Sequence, residues 1–342
     1  MEKAAVQGDG LLIPLIDFSK FLNGSSSQKL STAQAILRGF QTAGFIYLSN
    51  IPIPPSVVSQ VFSYSATFFK LPMSEKLNIA WTTPEANRGY SAPGREKVTI
   101  LTDEAAVDAL RKSVPDMKES IEIGREDEPE HPNRWPVETK ENNLVGFREL
   151  MLSFFDQCAS LHKQIMRAIA VGIGIEEEYF DSFVCDNDNT LRLLHYPSVP
   201  KKVFDENPSQ VRAGEHTDYG SVTLLFQDQR GGLQVKSPNG QFVDAAPIEG
   251  TCVVNAGDLL ARWSNDTIKS TLHRVVRPPG GLLKGEDGEE WFPARHSVAY
   301  FCNPNFKDFI EAIPGTYKTE EDKKYPGINS GEYLVQRLRA TY

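Results

Sequence analysis

The chain is short of cysteine, of positive charge and of unbroken apolar stretches, and each shortage removes a class of protein. Its four cysteines, Cys158, Cys185, Cys252 and Cys302, are scattered without a Cys-x-x-Cys. That spacing argues against a disulfide framework or a zinc–cysteine site and suits buried thiols in a reducing compartment. Lysine and arginine total 36 against 45 acidic residues, a net charge of −9. A nucleic-acid backbone selects a basic face, so no nucleic acid is expected as partner. The nearest thing to a basic run, Lys201-Lys202, reads as a solvated loop. No stretch reaches the roughly 20 apolar residues that span a bilayer, and Met1 to Gly10 carries no basic segment followed by an apolar one. The expectation is a cytoplasmic protein without a membrane or an obligate protein partner. Gly172 and Gly174 lack the third glycine and the preceding strand of a dinucleotide fingerprint. No internal repeat is visible.

What is present divides by texture. Leu11 to Phe18 reads as a strand, with Pro14 suited to a sheet edge. A helix capped by Ser31 or Thr32 is expected through Gln41, then a buried strand at Phe45–Leu48 and a helix from Pro55 to Phe69. Trp81 to Gly94 reads as a loop that could border a pocket, Asp103 to Val114 as a short helix, and Asp116 to Gly124 as leading into a strand. The clearest helix lies between Leu144 and Val171, where Phe147, Met151, Phe154, Cys158, Leu161, Ile165 and Ala168 recur in steps of three and four. From Thr190 the pattern changes to short strands at Thr190–Tyr196, Val222–Phe226, Leu233–Val235, Phe242–Asp244, Cys252–Val254, Leu272–Val276 and Ser297–Cys302, separated by turns such as Asn239-Gly240. Seven such strands predict a jelly roll or closed barrel. Lys284 to Glu290 reads as a charged hairpin tip and Glu332 to Arg339 as a last helix.

His216 and Asp218 are two apart, so an extended strand would send both side chains to one face. If the strand holding His273 is a neighbour, two imidazoles and a carboxylate converge in the facial arrangement of a non-haem Fe(II) site. Arg295 and Ser297 share a face by the same parity, and together can grip a carboxylate. Parity also puts Arg192 and Tyr196 on one face of their strand and Phe301 on the face of Arg295, while His195 and His296 point away. The interior is thus expected to hold Arg192, Tyr196, His216, Asp218, Tyr219, His273, Arg295, Ser297 and Phe301. For Arg192, a structural salt bridge and a ligand contact remain equally open; His131 and His162 are read as structural.

Taken together, His216-Thr217-Asp218, Leu233-Gln234-Val235, Asn255-Ala256-Gly257-Asp258, Ser264-Asn265, Lys269 to Arg274 and Arg295-His296-Ser297 resemble the Fe(II)- and 2-oxoglutarate-dependent dioxygenases of the isopenicillin N synthase-like group. Ile13-Pro14-Leu15-Ile16-Asp17 and Gly44-Phe45-Ile46 extend the likeness over nearly the whole chain. Within the group it is similar to the fungal thymine dioxygenases, through Trp81 to Tyr90, Leu191 to Pro197 and Phe301-Cys302-Asn303-Pro304. Many relatives carry Asn-Tyr-Tyr-Pro where this chain has Leu194-His195-Tyr196-Pro197. The asparagine contact to 2-oxoglutarate is therefore lost, and only Tyr196 carries over.

The resemblance implies a mainly β fold with α elements: a double-stranded β-helix (jelly-roll) core with N-terminal α/β elements and flanking helices. It implies an N-terminal dioxygenase-type region at 1–125, a loop and supporting helix at 126–189, the jelly-roll core at 190–310 and a C-terminal segment at 311–342. Iron is assigned to His216, Asp218 and His273, and 2-oxoglutarate to Arg295, Ser297 and Tyr196; O2 is the oxidant and ascorbate a candidate reductant. A free pyrimidine base is assigned to Arg192, Tyr219, Phe301 and Asn87. The expected reaction is oxidation of the thymine 5-methyl group to 5-hydroxymethyluracil, 5-formyluracil and 5-carboxyuracil in pyrimidine salvage, coupled to conversion of 2-oxoglutarate to succinate and CO2. The rival within the family is a hydroxylase or desaturase of a fungal secondary metabolite, which a pocket too wide for a single ring would favour. A zinc hydrolase or a non-catalytic jelly-roll module leaves the carboxylate clamp unexplained.

Overall fold

The computed structural model describes residues 2–97, 110, 112, 114–285 and 288–341. The helix expected over Asp103–Val114 lies almost wholly outside them, as do residues 286 and 287 of the charged hairpin tip. A nine-stranded sheet runs, in spatial order, through Lys3–Gly8, Leu11–Asp17, Phe45–Ser49, Thr251–Ala256, Val222–Gln227, Arg295–Cys302, Thr190–Tyr196, Glu119–Ile123 and Gly89–Ser91. A four-stranded sheet follows the order Phe242–Asp244, Leu233–Lys236, His273–Val275 and Ala213–His216. Their inner faces meet in one apolar cluster, with Phe45, Leu194, Val253 and Ala299 from the large sheet and Ala213, Leu233, Val235 and Val275 from the small one. This is the jelly-roll core that seven short strands had implied.

The outer face of the large sheet is covered by helices. Leu191, Leu193, Val298 and Tyr300 pack there with Met151, Phe154, Cys158 and Leu161 of the Phe147–Ile173 helix. Strand alternation thus divides each central strand between two cores: odd-numbered residues of Thr190–Tyr196 serve the helices and even-numbered ones the barrel. His162 is fully buried on the long helix with Nε2 3.0 Å from the Ser221 hydroxyl, and burial pushes it down to about 3. It is structural, as expected.

Several boundaries differ from the sequence reading for identifiable reasons. The first long helix starts at Ser26, because Ser25 and Gln28 form a capping box. Pro14 is not at an edge: Lys3–Gly8 pairs outside its strand, and the register slips between Ala4 and Val6 where Ala4 faces Pro14. A bulge there accommodates the missing N–H. Gly174 ends the long helix with φ 89°, whereas Gly172 stays within it. A Cβ at Gly172 would stand 2.8 Å from the Ala33 carbonyl, so that glycine permits close helix packing. Lys201-Lys202 begins a six-residue helix in place of a loop. The last helix, Ser330–Thr341, contributes Leu334, Leu338 and Thr341 to the wall of the barrel's cavity. Among the described residues no helix is long and apolar enough to cross a membrane.

Candidate active site

His273 stands directly opposite His216 in the antiparallel pair of the small sheet. The strand ends at His216, so Asp218 is brought in by the following turn and not by strand alternation. Its Oδ1 lies 3.9 Å from His216 Nε2 and 3.8 Å from His273 Nε2. The three donor atoms all fall within 4.8 Å of one another, a spacing at which one metal ion can bind all three.

Each ligand is fixed from behind. His216 Nδ1 is 2.8 Å from the Gly214 carbonyl and His273 Nδ1 is 3.2 Å from the Thr271 carbonyl. Those contacts place the proton on Nδ1 and leave Nε2 as the lone-pair donor. Thr223 and Asn255 donate to Asp218 Oδ2 at 2.6 and 2.7 Å, which leaves Oδ1 for the metal. Burial and the adjacent His273 imidazole hold His216 well below the ordinary histidine range. Against the cost of burial, His273 and His216 keep the Asp218 carboxyl below its ordinary value. Two imidazoles presenting Nε2 and one carboxylate oxygen are the donor set a divalent iron takes.

The cavity in front of these ligands measures about 110 Å³. At its inner end Arg295, only 1% exposed, donates to Ser297 Oγ at 3.2 Å and to Gln227 Oε1 at 3.0 Å, with the Tyr196 ring 5.0 Å away. No carboxylate pairs it among the described residues, and its Nε has no hydrogen-bond partner. A buried guanidinium in that condition calls for an anion. One end of a dicarboxylate would supply it, and the metal ligands stand ready for the other.

A second arginine behaves differently. Arg192 lies 2.9 Å from Glu96 and 2.7 Å from Glu122, and its guanidinium rests 5.1 Å from the Phe301 ring centre. Lys118 completes the cluster, 3.2 Å from Glu96. Asn87 lines the same region; its carbonyl accepts from Trp81 Nε1 at 3.1 Å, and its amide nitrogen is 3.4 Å from Thr190 Oγ1. Tyr219 also lines the cavity, its hydroxyl 2.6 Å from that of Thr341 and its ring under Arg337. All ten anticipated site residues therefore face one cavity. His195 and His296 stack on each other outside the barrel, as parity requires.

Sequence reasoning missed Glu96, Lys118, Thr223, Asn255 and Gln227 at the site, and that the expected last helix would line the cavity. Asn255 stood in a quoted motif, and Thr223 carries the right parity for the inner face of its strand. Nothing in the order of residues pointed to Glu96 or Lys118. Arg212, fully buried behind Arg295, was also missed; it donates to the Pro293 carbonyl at 3.0 Å, and burial lowers it to about 10.

Comparison with known proteins adds an independent line. Residues 13–142 match the profile described as non-haem dioxygenase in morphine synthesis N-terminal, and residues 187–304 match that of the 2OG-Fe(II) oxygenase superfamily. A proline hydroxylase of Petromyces alliaceus is 35% identical over 332 residues, covering 96% of this chain and 98% of the relative. The crystal structure of Neurospora crassa thymine 7-hydroxylase with alpha-KG and thymine is 69% identical, with a TM-score of 0.91 over 99% of this chain and all of that one. The same protein with alpha-KG and 5-formyluracil gives 66% identity and a TM-score of 0.90 over the full length of both chains.

Proposed function

We propose that this chain, which belongs to the 2OG-Fe(II) oxygenase superfamily, oxidises the 5-methyl group of free thymine to 5-hydroxymethyluracil and onward to 5-formyluracil and 5-carboxyuracil. The observation that carries this reading is the 69% identity, over nearly the whole chain, to a relative crystallised with alpha-KG and thymine. The cavity is consistent with it, since about 110 Å³ is well below the roughly 300–1,000 Å³ of sites for drug-sized ligands. The higher identity to the thymine-bound relative, 69% against 35% to the proline hydroxylase, favours thymine over the alternative, a secondary metabolite.

In this reading His216, Asp218 and His273 hold Fe(II), while Arg295, Ser297 and Tyr196 hold the far carboxylate of 2-oxoglutarate. The iron, when bound, supplies the oxidising power that couples 2-oxoglutarate decarboxylation to attack on an unactivated C–H bond. This chain's own residues position the reactants and keep water out. Phe301 offers a stacking face, worth roughly 1–3 kcal/mol for a base on an aromatic ring. Arg192 offers a donor to a ring carbonyl, and Tyr219 and Asn87 bound the remaining edges. Leu334 and Leu338 add apolar surface to the cavity wall. The regions 1–125, 126–189, 190–310 and 311–342 are proposed as its organisational divisions, and the cytoplasm as its location.

The decisive experiment measures succinate release with Fe(II) and 2-oxoglutarate across free bases and nucleosides. Stimulation by thymine, 5-hydroxymethyluracil and 5-formyluracil, with little by thymidine, is the expected result. Stimulation by none of the free bases overturns the assignment.

A further inference from the structure

We infer that Glu96 is a specificity-determining residue that accepts a hydrogen bond from a ring N–H of the pyrimidine. The inference rests on the thymine assignment and deepens it. A thymine ring is an imide: it presents two carbonyl acceptors and two N–H donors. The cavity offers its carbonyls several donors, Arg192 and Lys118 among them, and the Asn87 amide nitrogen, since Trp81 already occupies the Asn87 carbonyl. Acceptors for the N–H groups are scarcer. Only two carboxylates line the cavity among the described residues, Asp218 and Glu96. Asp218 is turned toward the two imidazoles, which leaves Glu96 as the carboxylate open to a ring N–H; the hydroxyls and the Asn87 and Asn303 amides that also line the cavity are neutral, weaker acceptors.

Glu96 is 5% exposed and held on both sides. One oxygen is 2.9 Å from Arg192 Nη1 and the other 3.2 Å from Lys118 Nζ. A carboxylate has about four lone-pair sites, so each oxygen keeps capacity for a second donor. The two flanking cations keep the group ionised, and an ionised carboxylate only accepts. Glu96 beside Arg192 then forms an acceptor–donor pair that matches the N–H and C=O of one amide edge. A ring with a bare nitrogen at that place, as in a cytosine-type base, meets a lone pair facing a carboxylate. A buried polar group left unpaired in this way is what gives hydrogen-bonding sites their high discrimination.

The test compares kcat/KM for thymine, 1-methylthymine and 3-methylthymine in the wild-type enzyme, Glu96→Gln and Glu96→Ala. The wild type should reject the isomer methylated at the nitrogen that Glu96 reads, on the order of 10- to 100-fold against thymine. In Glu96→Ala that preference should shrink toward unity, because both the acceptor and the obstruction are gone. Glu96→Gln retains the volume and, if the alanine variant is unstable, should still lower thymine turnover more than that of the rejected isomer. If all three substrates fall in parallel in both variants, Glu96 only braces Arg192 and the inference fails. Failure of thymine and both isomers to stimulate the wild type removes the thymine assignment itself, and this inference with it.

Discussion

Arg295 and Arg192 stand on paired strands of one sheet, face the same cavity and are both buried, yet their surroundings are opposite. Arg192 has carboxylates within 3 Å on two sides, Glu96 and Glu122. Arg295 has a hydroxyl, an amide oxygen and a tyrosine ring, with no acidic partner among the described residues. Desolvating a guanidinium is expensive wherever it happens. The Arg192 region meets that cost internally and can therefore face a neutral ligand. The Arg295 region leaves it open until an anion arrives. One cavity thus holds a buried cation whose charge is already met and another whose charge is not, and the arrangement of acids separates them.

The largest effect expected at either end comes from the metal set that lies between them. His216→Ala or Asp218→Ala should abolish turnover and lower the bound iron measured after reconstitution with Fe(II); activity surviving in either variant would mean that the metal is held elsewhere. Arg192→Ala should next be the more damaging of the two arginine changes to the ligand-free protein. It strips Glu96 and Glu122 of a buried partner, a loss that costs about 3–5 kcal/mol, and a clear fall in Tm should accompany the loss of thymine binding. Arg295→Ala should leave the ligand-free Tm unchanged or raised while increasing the 2-oxoglutarate requirement about 10- to 100-fold, the loss of a charge-assisted contact. A substantial drop in the ligand-free Tm of Arg295→Ala would erase the contrast between the two regions.

Saturation with 2-oxoglutarate separates them further. At 100 times its Kd it should stabilise the wild type by about 2.7 kcal/mol, the Arg192 variant similarly, and the Arg295 variant hardly at all at the same concentration. The smallest expected signal is in acid. Against the penalty of burial, Arg192 and Lys118 hold the Glu96 carboxyl at about 2, below its ordinary 4.5. Because the folded value is depressed, the stabilisation is complete above pH 4.5 and disappears as pH falls toward 2. Glu96→Gln should flatten that part of the stability profile, read by thermal melts across the window. An unchanged slope would mean that Glu96 is not held ionised by its two cations.

Much of the site was legible before folding because strands obey a two-residue period. Arg192 and Tyr196, or Arg295, Ser297, Ala299 and Phe301, had to share faces once their strands were identified, and every one of them lines the cavity. The same alternation sent His195 and His296 outward. The alternation also assigned Asp218 to the face of His216, though it is not what holds Asp218 there. Asp218 is not on the strand that ends at His216; it reaches the metal site because Thr223 and Asn255 anchor its second oxygen.

The amino-acid order determined, by itself, the jelly-roll texture, the long helix and the shared face of Arg295 and Ser297, since each is written in local periodicity, and it carried His216, Asp218 and His273 in short motifs. Only the tertiary structure decided which charges become neighbours. Glu96 and Lys118 join Arg192 across 96 and 74 residues of chain (192 − 96 and 192 − 118), and Gln227 reaches Arg295 across 68. Such pairings depend on sheet order and register, which no local pattern encodes. They determine which buried cation is already neutralised and which still awaits its ligand.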